Sequence, residues 1–304
     1  MLNKIKYLAI FFVVGILGWY MFVKPEDYII KFKVAASPGV LLRQVEEWSL
    51  LQNKMDSLSS TLNNKIPFEV IEQSITKGDM SLEINWSFKL INDSITQVLV
   101  GVLENENSMY NRITAPFLNT NFKKMSIGLV QDYISGIEYR LKNEFKVKFQ
   151  GVEKITELRY AYIKIEDINM LDKASKMMEI NDKLVKFLND NEIKDGELPF
   201  LIVDRWNFHE NTIDFKYCFP VKHKDTLPSH SLIRYGKLPS GKALKAIYNG
   251  NYRTSDRAWF TLHDYAKRHG IAIQNKPIEF FKNNPFLGGD ELTWVTEVYM
   301  PILD

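Results

Sequence analysis

Hydrophobic and polar positions change rhythm several times along the chain, and each change marks an element. From Tyr7 to Val23 there is no charge at all. From Tyr28 to Ala35 apolar residues alternate with lysines, with Ile30, Phe32 and Val34 on one side, which predicts a strand. Ser37-Pro38 then sets a capping residue before a proline at the first helical position, and Val40, Leu41, Val45 and Trp48 give the helix its apolar stripe. The polar stretch 52–65 reads as a loop with some helical turns. Runs at 67–76, 80–90, 94–103 and 109–115 read as antiparallel strands, separated by Lys77-Gly78-Asp79, Asn92-Asp93 and a polar turn over 104–107. A long helix over 119–145 closes this half. Its buried face is Phe122, Met125, Leu129, Tyr133, Ile137 and Leu141.

The second half shows one pattern twice. A strand at 158–165, a helix over 172–191 and strands at 200–206 and 212–221 are followed, after a Pro- and Gly-containing connection over 223–242, by a strand at 244–249, a helix over 255–269 and strands at 278–282 and 293–302. The two β-α-β-β repeats span about 155–222 and 243–303. Pro199 and Pro277 occupy matching places, and 215–221 aligns with 296–302. Two such units are expected to join their sheets about a pseudo-twofold axis, where a cleft is a natural ligand site. In the last strand Trp294, Thr296, Val298 and Met300 share one face while Val295, Glu297 and Tyr299 share the other. An acid in mid-strand beside an aromatic residue is unusual if both faces pack.

Composition narrows the function. The 304 residues suit two domains, and 45% hydrophobic with 25% charged residues supports a core in each. A net charge of +2 with interspersed signs gives no basic stripe, so no nucleic-acid partner is expected. Cys218 is the single cysteine, which excludes an intrachain disulfide and a cysteine zinc site. The 5 histidines form no metal-binding spacing, and no phosphate-binding glycine loop is present, so no metal and no cofactor are expected. The charge-free run, bracketed by Lys4, Lys6 and Lys24 and ending in Trp19 and Tyr20, lies at the lower edge of the about 17–25 residues that cross a bilayer. No small-residue cleavage site follows it, so it reads as an uncleaved anchor in the lipid bilayer through residues 7–23. The short basic tail favours a single-pass protein whose soluble domains lie outside the cytoplasm.

Two family resemblances follow from these patterns. The strand, the Ala-Ala-Ser-Pro-Gly-Val entry at 35–40, the short helix, the antiparallel strands and the long last helix resemble the helix-grip fold of the START-like (SRPBCC) superfamily. That resemblance implies a curved sheet gripping the helix, with room for an apolar ligand. Tyr-Asn-Gly-Asn-Tyr at 248–252, Trp259, Pro-Ile-Glu-Phe-Phe-Lys-Asn-Asn-Pro at 277–285 and Thr-Glu-Val-Tyr-Met-Pro-Ile at 296–302 resemble the gyrase-inhibitor-like (GyrI-like) domain, also the AraC-type effector-binding domain of bacterial regulators. No helix-turn-helix accompanies it. The expected class is therefore α+β: a membrane helix (1–25), a helix-grip domain (26–150) and a duplicated effector-binding domain (151–304).

The GyrI-like resemblance implies a cleft with an acid at Glu297 and aromatic contacts at Tyr252 and Trp259, and Tyr299, which flanks Glu297, is a further candidate contact. A carboxylate among rings can hold a ligand cation. In a drier cleft it could act as a general acid or base, as a hydrolase would need. It could equally form an ion pair with Lys216, its counterpart in the first repeat. Trp259, next to Leu262 and Ala266, also fits a packing role. The leading expectation is a membrane-anchored protein that binds a small, partly apolar molecule able to carry positive charge. A hydrolase using Glu297 and a protein-interaction module are the alternatives.

Overall fold

Hydrogen-bonded strands in two separate antiparallel sheets, with six α-helices, make up the described part of the chain in a computed structural model, covering residues 2–55, 58–195, 198–224 and 226–303. The class is α+β. The chain divides into two compact units, one of Met1–Ala36 with Leu41–Ile137, the other of Ser37–Val40 with Glu138–Asp304.

The first unit begins with α1 (Leu2–Phe22), whose window Ile5–Phe22 has a mean hydropathy of 1.9 and no buried residue. By length and composition alone it can cross a membrane. β1 (Tyr28–Val34), α2 (Pro38–Lys54), β2 (Ser59–Ile66), β3 (Val70–Lys77), β4 (Met80–Asn92) and β5 (Ile95–Leu103) follow, and the strands pair in the order β1-β5-β4-β3-β2. Then come α3 (Ser108–Thr114) and α4 (Asn121–Asn143). α4 lies on the sheet because its apolar positions recur at helical spacing: Phe122, Leu129, Tyr133 and Ile137 are buried. The Tyr133 ring sits 4.8 Å from that of Trp86. The Trp86 indole nitrogen, inside the core, donates to Gln73 at 2.9 Å, so its polar end is satisfied.

Two expectations fail in this unit. Residues 109–114 lie in α3 and Ala115 caps it, so no strand forms there. Met109, Tyr110 and Ile113 also fit one helical face, and Asn111 and Arg112 on the opposite face reach the buried carboxylates of Glu104 and Asp27. Tertiary hydrogen bonds decide between the two periods. Within 52–65, α2 runs to Lys54 and 59–66 is an edge strand paired with β3. An edge strand exposed over most of its length needs no apolar alternation, so the pattern carried no signal there.

The second unit is built on one sheet of β6 (Phe145–Ile155), β7 (Leu158–Asn169), β8 (Phe200–Asn207), β9 (Thr212–Pro220), β10 (Arg234–Leu238), β11 (Gly241–Gly250), β12 (Ile278–Phe281) and β13 (Val295–Pro301). Its order is β10-β7-β9-β8-β12-β13-β11-β6. α5 (Lys173–Asp190) and α6 (Asp256–His269) complete the two repeats. β8 and β12 pair antiparallel at the centre, with Phe200 opposite Phe280, Leu201 opposite Glu279 and Ile202 opposite Ile278. The strand order reads outward as β8-β9-β7-β10 on one side and β12-β13-β11-β6 on the other, which is the pseudo-twofold arrangement. β6 and β10 were not expected. β6 crosses residue 150 and pairs with β11, while β10, inside the connection over 223–242, pairs with β7. Both are outer strands that close the two ends of the sheet, and β6 alternates apolar and polar residues over Phe145 to Gln150.

Candidate functional site

The two faces of this sheet differ, and strand register assigns each residue to one of them. Cross-strand partners share a face. Thr296, Val298 and Met300 of β13, all fully buried, share theirs with Glu279 and Phe281 of β12 and with Tyr217 and Phe219 of β9. This is the helix side, because the Trp259 indole of α6 donates to Glu279 there. Phe200, Ile202, Cys218, Ile278, Phe280, Glu297 and Tyr299 point to the opposite side, where most of them form an apolar cluster with Tyr160 and Leu238.

A cavity of about 720 Å³ opens on the helix side across the junction of the repeats. The first repeat contributes Ala174, Met177 and Asn181 of α5 together with Tyr217 and Phe219 of β9. The second contributes Asn251 to Arg253, Phe281, Asn283 and Trp294. Five aromatic rings and two thioethers form part of the wall, with Lys194, Arg253 and Glu291 as its charged members. Tyr252 anchors one side: its ring lies 4.6 Å from that of Phe281 and 5.7 Å from that of Trp294. Its hydroxyl donates to the Asn283 carbonyl at 3.0 Å, and burial pushes its pKa up to about 12, so it stays protonated. The chain turns into this wall at Gly250, whose φ of +145° and close approach to the Glu144 carbonyl (2.7 Å from an ideal Cβ) demand glycine.

Beside the cavity, one pleat from Phe281, lies a buried polar cluster. Glu279 and Lys173 have fully buried side chains, with the Lys173 ammonium 3.1 and 3.2 Å from the two carboxylate oxygens. Trp259 Nε1 donates to the same carboxylate at 2.6 Å, and the Ser255 hydroxyl lies 2.7 Å from it and accepts from Lys173 at 2.6 Å. The ammonium also lies over the Trp259 ring, 4.7 Å from its centroid. Lys173 opens α5 in the first repeat, while its partners belong to the second. The cluster therefore ties the cavity's two walls together.

Glu297 is placed differently. Its half-buried carboxylate meets Lys282 at 3.0 Å and Lys245 at 3.3 Å on the side away from the helices. Partial burial pushes its pKa up, but hydrogen bonds and charge from the two lysines outweigh this and hold it below the ordinary value. A carboxyl held ionised in this way is poorly set to donate a proton. The expected pair with Lys216 does not form. Lys216 binds Asp204 at 2.8 Å, because Lys282 and Lys245 on neighbouring strands are nearer partners for Glu297. Lys245 lies over the Tyr299 ring at 5.2 Å, and burial raises the Tyr299 pKa.

Of the four residues singled out from sequence, Tyr252 lines the cavity and Trp259 is buried in the cluster beside it. Glu297 and Tyr299 stand together on the far side of the sheet. Glu279 was missed, although it shows the very signal that drew attention to Glu297: an acid in mid-strand between apolar residues. At its equivalent position the first repeat carries Leu201, its cross-strand partner.

Because the Glu297 carboxyl titrates lower folded than unfolded, its pairs stabilise the fold above its unfolded pKa of about 4.3 and cease to do so as pH falls through the folded value. Glu297→Gln is expected to cost at most about 1 kcal/mol at neutral pH, as exposed pairs do. The deficit should vanish in acid denaturation curves taken toward about pH 3. A deficit independent of pH would rule out the ion pairs as its cause.

Residues 186–303 match the family model of the GyrI-like small molecule binding domain. The match contains every cavity residue except those of α5 up to Val185. Among solved structures, the EcmrR C-terminal domain is 18% identical, covering 51% of this chain and 98% of that one, with a TM-score of 0.42. SAV2435 bound to tetraphenylphosphonium is 12% identical, covering 51% and 94%, with a TM-score of 0.39. A hydrolase encoded by lin2189 from Listeria innocua is 10% identical, covering 54% and 98%, with a TM-score of 0.32. No curated protein matches the sequence.

Proposed function

We propose that the second unit is an effector-binding domain whose ligand occupies the helix-side cavity at the junction of the two repeats. The observation that carries this reading is the aromatic-lined volume of about 720 Å³, most of whose wall falls inside the matched GyrI-like segment. Volumes of roughly 300–1,000 Å³ suit small organic ligands. The ligand is partly apolar, since Met177, Tyr217, Phe219, Phe281 and Trp294 offer mainly carbon surface. A delocalised positive charge fits as well, because ring faces attract cations. The Lys173–Glu279 pair is already neutral as a unit, so Glu291 and the rings are the groups that would attract such a charge, against Lys194 and Arg253 on the same wall.

Titration of the full chain in detergent with tetraphenylphosphonium, against neutral triphenylphosphine oxide, tests this. Trp294→Ala is expected to weaken cation binding by about 2 kcal/mol, roughly thirtyfold, as loss of a central aromatic contact does. Glu297→Gln should leave binding unchanged, because it lies across the sheet. Loss of binding in Glu297→Gln with retention in Trp294→Ala would move the site to the other face. Equal affinity for the neutral compound would remove the charge preference.

The same proposal takes α1 as a membrane anchor and the first unit as a START-like helix-grip domain. Support comes from the unburied apolar helix and from α4 lying across a five-stranded sheet. The soluble units then lie outside the cytoplasm. A C-terminal reporter active only there is expected to be active, and an inactive reporter in a correctly inserted protein reverses the orientation.

A further inference from the structure

The end of α1 is built into the first unit by one side chain. The last carbonyls of a helix have no intrahelical partners, and leaving them bare in apolar surroundings costs several kcal/mol each. Here Arg112 of α3 donates from Nη1 to the carbonyls of Tyr20 and Met21, at 3.1 Å each. Its Nε donates to Asp27 at 2.8 Å, and the Tyr20 hydroxyl returns a hydrogen bond to the Arg112 carbonyl at 3.0 Å. The cation also complements the negative end of the helix dipole. Thus α3 is fixed within one side chain's length of the point where α1 ends.

The face of α3 opposite this junction is apolar and uncovered. Met109, Tyr110 and Ile113 are each more than half exposed, as is Leu118, and Phe117 between them is 85% exposed. So many large apolar side chains exposed on one short segment mark a contact surface. Its place beside the end of α1 identifies what it meets. Tyr20, with Lys24 over its ring at 5.1 Å, supplies the aromatic and basic pair found where a helix leaves the hydrocarbon. A neighbouring amphipathic turn at that depth faces the boundary between headgroups and acyl chains.

We propose that α3 and the residues through Leu118 form a second membrane contact, an interfacial segment that lies in the bilayer surface next to the emerging anchor. It rests on the reading of α1 as a membrane span. The two contacts, joined by Arg112, hold the first unit against the membrane instead of leaving it on a free tether.

Nitroxide labels on the full chain in phosphatidylcholine and phosphatidylglycerol vesicles test this. Single cysteines replace Val14 in the span, Ile113 and Phe117 in the segment and Lys89 as an exposed control, while the native Cys218 is buried and stays unlabelled. Oxygen concentrates in lipid and a nickel chelate in water, so their collision ratio reports depth. Labels at 113 and 117 are expected to show a ratio severalfold above that at 89 and below that at 14. A lipid-like label at 14 with labels at 113 and 117 as aqueous as 89 would overturn the second contact and leave the anchor standing. An aqueous label at 14 would overturn the anchor, and the second contact with it. Labels at 113 and 117 shielded from both reagents would mean that protein covers the segment, and this also overturns the bilayer assignment.

Discussion

Glu279→Gln is expected to destabilise the second unit by about 3–5 kcal/mol, the range for breaking a buried ion pair from one side. The reason is what remains. The Lys173 ammonium, fully buried, would keep Ser255 and the Trp259 ring but lose the only carboxylate within reach among the described residues. Lys173→Met should cost a similar amount, since Glu279 would then hold a negative charge against two neutral donors, Ser255 and Trp259. The double variant removes both charges, and its loss should fall short of the sum of the two single losses by roughly 2 kcal/mol. Urea denaturation followed by tryptophan fluorescence measures this, and Trp259 reports directly from the cluster. Strictly additive losses would show that the two side chains do not act as a pair. The pair joins α5 of one repeat to β12 of the other, so the single variants should also loosen the wall of the cavity.

Arg112→Leu should cost the first unit a comparable amount, about 3–5 kcal/mol, because Asp27 is left buried with its charge. Ser108 and the Glu104 backbone N–H would still donate to it, but neither carries positive charge. The same substitution frees the Tyr20 and Met21 carbonyls at the end of α1. Limited proteolysis by proteinase K in the connection between α1 and β1, residues 23–27, should therefore accelerate together with the fall in stability. Arg112→Lys is expected to rescue little, since one ammonium cannot serve Asp27 and both carbonyls in the directions of the guanidinium fork. Unchanged proteolysis in Arg112→Leu would show that the junction at the end of α1 does not depend on this side chain.

Much of the fold was readable where burial is one-sided. The helix faces of α2, α4 and α6, and strands such as β4, β5 and β9, alternate or repeat at the period their burial requires, so the pattern and the structure coincide. The duplication was readable for the same reason, because each repeat must cover its own sheet with its own helix. β2, β6 and β10 were not read. β2 and β10 are shaped by a neighbouring edge and show no apolar alternation, whereas β6 does alternate over Phe145 to Gln150 but lies between the expected end of the long helix and the expected start of the second half. α3 was misread because Met109 and Ile113, four apart, share a face at either period, and the partners of Asn111 and Arg112 select the helix.

The site divides along the same line. Sequence by itself determined that the second half holds two β-α-β-β copies, that an acid stands in the last strand, and that Tyr252 closes a turn before a helix. These are properties of spacing, and spacing is local. Which acid lies beside the cavity was decided only by tertiary structure. Glu297 and Glu279 are both mid-strand carboxylates, but register turns the first toward Lys282 and Lys245 on one face and the second toward Lys173, Ser255 and Trp259 on the other. A shift of one residue in pairing exchanges the two faces of a strand, and pairing across the sheet is set by residues far apart in the chain. The junction of Arg112 with the end of α1 is decided the same way, by a contact between residues about ninety positions apart that no local pattern announces.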